Sequence, residues 1–166
     1  GISAEDSMFL VEKGGSLTAG SGAVLKGNSS VSSGGAVYNN GSFTLKGAVL
    51  KDNETKSGTG GGAVFNAPDA VLKMISGSIS DNSAYCGGGI ENEGKLIIQG
   101  GKITGNKTRG GGAGVHNFGE NGGSFRMYGG EISGNSSSEH YGGAVFLWQC
   151  SGTFSGGLIE GNTAAE

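Results

Sequence analysis

Glu91 and His116 stand at the same offset in two successive copies of a Gly-Gly-aliphatic phrase, one residue after Ile90 and Val115. On neighbouring strands of a parallel stack, a carboxyl and an imidazole would sit about 4.8 Å apart, within reach of proton transfer. In other copies the same offset carries Glu12, Tyr38, Phe65 and Phe146, with Trp148 two residues beyond the last. The row could therefore do acid–base work at Glu91 and His116, or bind a sugar chain or protein on its aromatic faces. Tyr38, Phe65, Glu91, His116, Phe146 and Trp148 are the candidate binding residues. The plainer expectations are a solvated cross-strand pair at Glu91 and His116, and a row covered by a loop of the chain or by a flanking domain.

Other chemistry is thin. Glu91 and Glu93 share one side of a short segment, yet two carboxylates fall short of the roughly six to eight oxygens that Ca²⁺ takes. Cys86 and Cys150 fit no metal spacing and lie at different offsets in their repeats, so neither a bridge nor a metal site is expected. No His-x-x-x-His, Asp-x-Asp or nucleophile elbow occurs. Gly60-Gly61-Gly62 lacks the Lys-Ser/Thr of a phosphate loop. The sequence calls for no cofactor.

The elements that must position this row are set by an internal repeat. Leu25, Leu50, Ile79, Ile103, Ile132 and Ile159 are each followed three residues later by Asn28, Asn53, Asn82, Asn106, Asn135 and Asn162. Successive asparagines lie 25, 29, 24, 29 and 27 residues apart, a period that marks a solenoid. Each unit of about 26 residues has room for three short strands and three turns. The first strand carries Val37, Val64, Ile90, Val115 and Val145, with Val11 taking that place in the first unit. The second carries Phe43/Leu45, Leu72/Met74, Leu96/Ile98 and Phe125/Met127, pairs at the two-residue step of a strand. The third carries the aliphatic residue of the aliphatic-x-x-Asn phrase. One unit cannot bury its apolar face, but stacked units can. The expected fold is an all-β parallel β-helix of about six coils, a single domain over residues 1–166.

The asparagines have structural work in this scheme. Each follows Gly or Asp, residues that tolerate left-handed backbone, and their stacked amides can form a hydrogen-bonded ladder. Asn39, Asn66, Asn92 and Asn117 make a second candidate ladder, with Leu147 in its place in the last unit. Apparent glycosylation sequons at Asn28, Asn53, Asn106 and Asn135 are expected to be by-products of turn chemistry. The longer turns, 54–60, 107–110 and 136–141, with an insertion near Glu120 to Gly122, are where specificity could vary without disturbing a core.

Composition agrees with this reading. The 38 glycines recur at fixed offsets, which argues for order, and the single proline excludes collagen and polyproline stalks. A formal net charge of -3 and dispersed Lys and Arg give no basic stripe, so no nucleic-acid partner is expected. No run is long and apolar enough for a membrane span. The first residues do not form a signal peptide, and the repeat spans Val11 to Asn162, so the sequence is expected to be a piece of a longer protein.

Gly-Gly-Ala-Val at 34–37, 61–64 and 142–145, alternating with Ile-x-x-Asn, resembles the GGA[I/L/V] and FxxN repeats of chlamydial polymorphic membrane proteins. It is also similar to the right-handed β-helix repeats of bacterial surface and autotransporter passenger proteins. The likeness covers residues 11 to 162. Leu or Ile stands where FxxN has Phe, which points to the broader surface-protein group. The resemblance implies a right-handed parallel β-helix displayed outside a bacterial cell, where relatives serve in adhesion. It implies a host-surface protein or glycan as partner, and flanking repeats or caps in the full-length protein. The competing expectation is a polysaccharide-active enzyme resembling pectate lyases, or a carbohydrate-binding domain, because parallel β-helices carry those functions too.

Overall fold

A computed structural model describes residues 7–56, 60–120, 122–139 and 141–165. Among them are strands and turns but no helix, and the strands stack in parallel register into a β-solenoid of about six turns with three sheets. The first sheet stacks Phe9–Val11, Val37–Asn39, Val64–Asn66, Ile90–Asn92, Val115–Phe118 and Val145–Trp148 in chain order. The second is broad. It contains both the second and third expected strands, which run on as one in Ser42–Lys51 and Val71–Ser80 and are split elsewhere, as in Lys95–Ile98 and Lys102–Thr104.

The third sheet lies where the sequence suggested turns. Ser29–Ser30, Glu54–Thr55, Ser83–Ala84, Lys107–Thr108, Ser136–Ser137 and Thr163–Ala164 are two-residue strands, each directly after a ladder asparagine. Two residues are too few for hydrophobic alternation to register, and these carry hydroxyls rather than aliphatics.

The register of the first sheet also departs from expectation at its start. Phe9, not Val11, pairs with Val37; Val11 pairs with Asn39, and Leu10 takes the place assigned to Glu12. A two-residue slip leaves the same faces inward, so an apolar pattern cannot distinguish the two registers. Elsewhere the alignment holds: Val37, Val64, Ile90, Val115 and Val145 are in line, as are Leu25, Leu50, Ile79, Ile103, Ile132 and Ile159.

The core is a column of these inward side chains, and Leu50, Ile79, Ile103 and Ile132 are buried in one line. Each contributes on the order of 1.5–3 kcal/mol by leaving water. In the last coil Phe154 and Ile159 are exposed.

Both asparagine ladders form. Nδ2 of Asn53, Asn82, Asn106 and Asn135 donates to Oδ1 of the next asparagine at 2.8–3.0 Å, and each backbone N–H donates to the same oxygen. Asn28 joins through its backbone N–H, while its Nδ2 donates to the Gly35 carbonyl. The residue before each rung has positive φ, from Gly27 at 73° to Asp52 at 55°, the left-handed turn that Gly and Asp accept. The second ladder runs Asn39 to Asn66 to Asn92 to Asn117, with Nδ2 donating each time. Leu147 faces Asn117 in register, and Cys150 ends the ladder, its Sγ 2.8 Å from Nδ2 of Asn117. The Gly-Gly step is needed because coils touch there: a Cβ on Gly62 would strike the Gly88 carbonyl of the next coil.

Candidate functional site

The outward positions of the first sheet bring Tyr38, Phe65, Glu91, His116 and Phe146 into one row, as Cα partners on successive coils. Trp148 is two residues along the last strand and pairs with Phe118. The rings stack along the axis: Tyr38 on Phe65 at 5.0 Å, His116 on Phe146 at 5.2 Å and 13°, and Phe146 edge-on to Trp148 at 5.8 Å. Outward does not mean open here. Phe65, Glu91 and His116 are 6%, 5% and 7% exposed, Tyr38 and Phe146 are half-buried, and Trp148 is exposed. The covering groups are the turns that enter each Gly-Gly step. A Cβ on Gly60 would meet Oε2 of Glu91 at 2.6 Å, and one on Gly111 would strike the Phe146 ring. A loop of the same chain, one of the two coverings considered from sequence, therefore lies over the middle of the row.

Within it, Nδ1 of His116 lies 2.7 Å and 2.9 Å from the two oxygens of Glu91. The expected solvated pair is thus a desolvated one, since the Gly60 turn of the coil before lies against Glu91 and the Phe146 ring of the coil after stacks on His116. Burial pushes the Glu91 carboxyl above its ordinary value, while the bond and charge of His116 pull it back down. The pair borders a shallow pocket of about 210 Å³ walled by Phe65 and Phe118, with Cys86 and Glu93 beside it. Burial and then the Glu91 charge push the Cys86 thiol up, away from the thiolate a nucleophile needs. Cys86 and Cys150 are both free thiols. Among the described residues no three His, Cys, Asp or Glu side chains gather as metal ligands.

A second concavity crosses the third sheet, with a volume of about 520 Å³. Its wall comes from the same positions of four successive coils: 54–56, 83–85, 107–109 and 136–138. Along each short strand the three residues alternate. Glu54, Ser83, Lys107 and Ser136 face out in one row. Thr55, Thr108 and Ser137 point inward and are buried, each hydroxyl donating to a glycine carbonyl of the Gly-Gly turns. The following residues, Lys56, Tyr85, Arg109 and Ser138, are exposed. An exposed tyrosine therefore stands between a lysine and an arginine on the coils either side of it. Arg109 meets Glu139 at 3.7 Å with both side chains largely in solvent, a contact of little energetic weight.

Sequence reasoning marked 54–56, 107–109 and 136–138 as parts of variable turns, passed over 83–85, and did not unite the four. The signal was present in the sequon-like triplets. In Asn53-Glu54-Thr55, Asn106-Lys107-Thr108 and Asn135-Ser136-Ser137 the asparagine is a buried ladder rung and the hydroxyl is the inward residue of the third sheet. The middle residue of each triplet is thereby aimed outward. No protein-family model, curated protein or solved structure matches the chain.

Proposed function

We propose that the chain is a non-catalytic binding module of a bacterial cell-surface protein, and that its binding face is the groove across the third sheet. The observation that carries this reading is the groove's construction. Four coils each contribute outward side chains there, and none of them serves the core or a ladder. The likeness of the Gly-Gly-Ala-Val and aliphatic-x-x-Asn phrases to surface-displayed repeats supports the extracellular setting and an adhesin-like role. The exposed Phe154 and Ile159 of the last coil support flanking repeats or a cap as further partners.

Binding to arrayed glycans and host-matrix proteins tests the proposal. The wild-type chain should bind, the Tyr85→Ala/Arg109→Ala double variant should not, and Trp148→Ala should bind as the wild type does. An array without wild-type binding, or a double variant that still binds, would refute it.

The Glu91–His116 pair beside a pocket favours one alternative, a polysaccharide-cleaving activity. Cleavage of a polysaccharide panel that disappears in His116→Ala would replace the binding reading by this one.

A further inference from the structure

We infer that the groove on the third sheet takes an acidic polysaccharide, a chain of carboxylate-bearing sugars laid along the solenoid axis. The inference rests on the groove's being the binding face and goes further by naming the ligand's chemistry.

Charge and surface chemistry argue for it together. Three of the chain's 11 Lys and Arg residues, Lys56, Lys107 and Arg109, gather on this wall, although the chain as a whole carries a net charge of -3. Glu54 is the single acid in the wall, beside Lys56 on its own coil, and it accepts a hydrogen bond from Ser29 on the coil before, while Glu139, next to the wall, meets Arg109 only in solvent. The remaining polar surface is hydroxyl: Ser83, Ser136 and Ser138. Tyr85 is the wall's one aromatic residue, and it is 43% exposed. An amphipathic ring with cations on both sides suits a pyranose, whose C–H face packs on the ring while its carboxylates reach Lys56 and Arg109. At a coil spacing of about 4.8 Å, Lys56 and Arg109 stand two coils, or about 9.6 Å, apart along the axis with Tyr85 between them, a spacing that a linear polymer can follow.

An acidic peptide fits less well. Peptides gain affinity by adding a strand to an open sheet edge or by filling apolar pockets. The groove crosses strands already paired on both sides, Glu54–Thr55, Ser83–Ala84 and Lys107–Thr108, and its wall has no large aliphatic side chain.

The test is calorimetric titration of the chain with three probes: a uronic-acid hexamer, the neutral hexamer made by reducing its carboxyls, and poly-glutamate. The uronate hexamer should bind, with affinity falling as salt rises, and the reduced hexamer should bind on the order of tenfold or more weakly. Tyr85→Ala should lose on the order of tenfold and Tyr85→Phe little, because the ring's face is what is used. Arg109→Gln should lose roughly threefold to tenfold, with a shallower salt dependence. Unchanged melting temperatures verify that each variant is folded. Equal binding of the acidic and reduced hexamers overturns the inference and leaves the groove as a binder of neutral glycans. Poly-glutamate binding as tightly as the hexamer overturns it in favour of an acidic peptide. Absence of binding by all three probes overturns it too, and the array then shows separately whether the groove is a binding face.

Discussion

Two rows of side chains that point away from the solenoid's core, one on the first sheet and one on the third, differ in what lies over them. On the first sheet the row Tyr38, Phe65, Glu91, His116, Phe146 is stacked ring on ring and roofed in its middle by the Gly-Gly turns. On the third sheet Lys56, Tyr85, Arg109 and Ser138 stand open over a groove. Both rows repeat at the coil spacing, so repetition alone does not distinguish structure from function. Coverage does. A row whose groups satisfy one another works inside the molecule, whereas a row of charges and a ring left in water is free to meet a ligand.

The largest effect should come from breaking the covered row at its polar centre. Removing the imidazole in His116→Ala leaves a buried carboxyl without its partner, and loss of one member of such a pair costs about 3–5 kcal/mol. Urea unfolding should show that loss, whereas Lys107→Ala on the open row should change stability by no more than about 0.5 kcal/mol. Equal effects from the two variants would erase the distinction between the rows.

The next effect lies beneath the covered row. Asn92 is wholly buried, donates to Asn117 and Gly94, and accepts from Asn66. Asn92→Ala leaves the Asn66 amide and the Asn117 oxygen without this rung, at a cost of about 1–3 kcal/mol. The equivalent change at Asn28, half-buried at the start of the other ladder, should cost less. A melting-temperature drop at Asn28→Ala as large as that at Asn92→Ala would mean that burial of the rung is immaterial.

These two predictions also mark what was legible in the sequence. The inward residues and ladder rungs could be read because an apolar column demands the same residue type at the same offset in every coil. Leu50, Ile79, Ile103 and Ile132 are in register as the aliphatic-x-x-Asn phrase implies. The outward row of the first sheet was legible as a row but not as a covered one. Its roof is built of glycines, which carry no side chain to reveal a contact. The third sheet was hidden for a related reason: its strands are two residues long and its inward residues are Ser, Thr and Ala, so the pattern passes for a turn. The groove follows from that sheet and was therefore out of reach as a site.

A subtler effect is pH dependence within the covered row. Burial raises the Glu91 carboxyl above its ordinary value despite His116, so the folded state holds that proton more tightly than the unfolded chain does. Such a group adds stability that is fully present below the ordinary carboxylate range. It is lost as pH rises from the unfolded value through the raised folded one. Across that window the wild type should lose stability relative to Glu91→Gln, which carries no titrating proton there. Unfolding free energies of both chains at a series of pH values measure the difference, and one that stays flat or grows with pH would show that Glu91 is not held in this way.

The smallest stability effect should come from the open row itself, and its smallness is informative. Tyr85→Ala removes a ring that is exposed and that belongs to no ladder or core cluster, so it should shift stability by less than about 0.5 kcal/mol. Phe65→Ala on the covered row removes a ring of similar size from a buried position and should cost about 3 kcal/mol. The two substitutions delete nearly the same atoms from equivalent outward places on two sheets of one solenoid, so any difference between them measures coverage. Paired thermal melts of the two variants read it directly. If Tyr85→Ala proves as costly as Phe65→Ala, the tyrosine is spent on holding the coils together, and a ligand would have to compete with the fold for its ring.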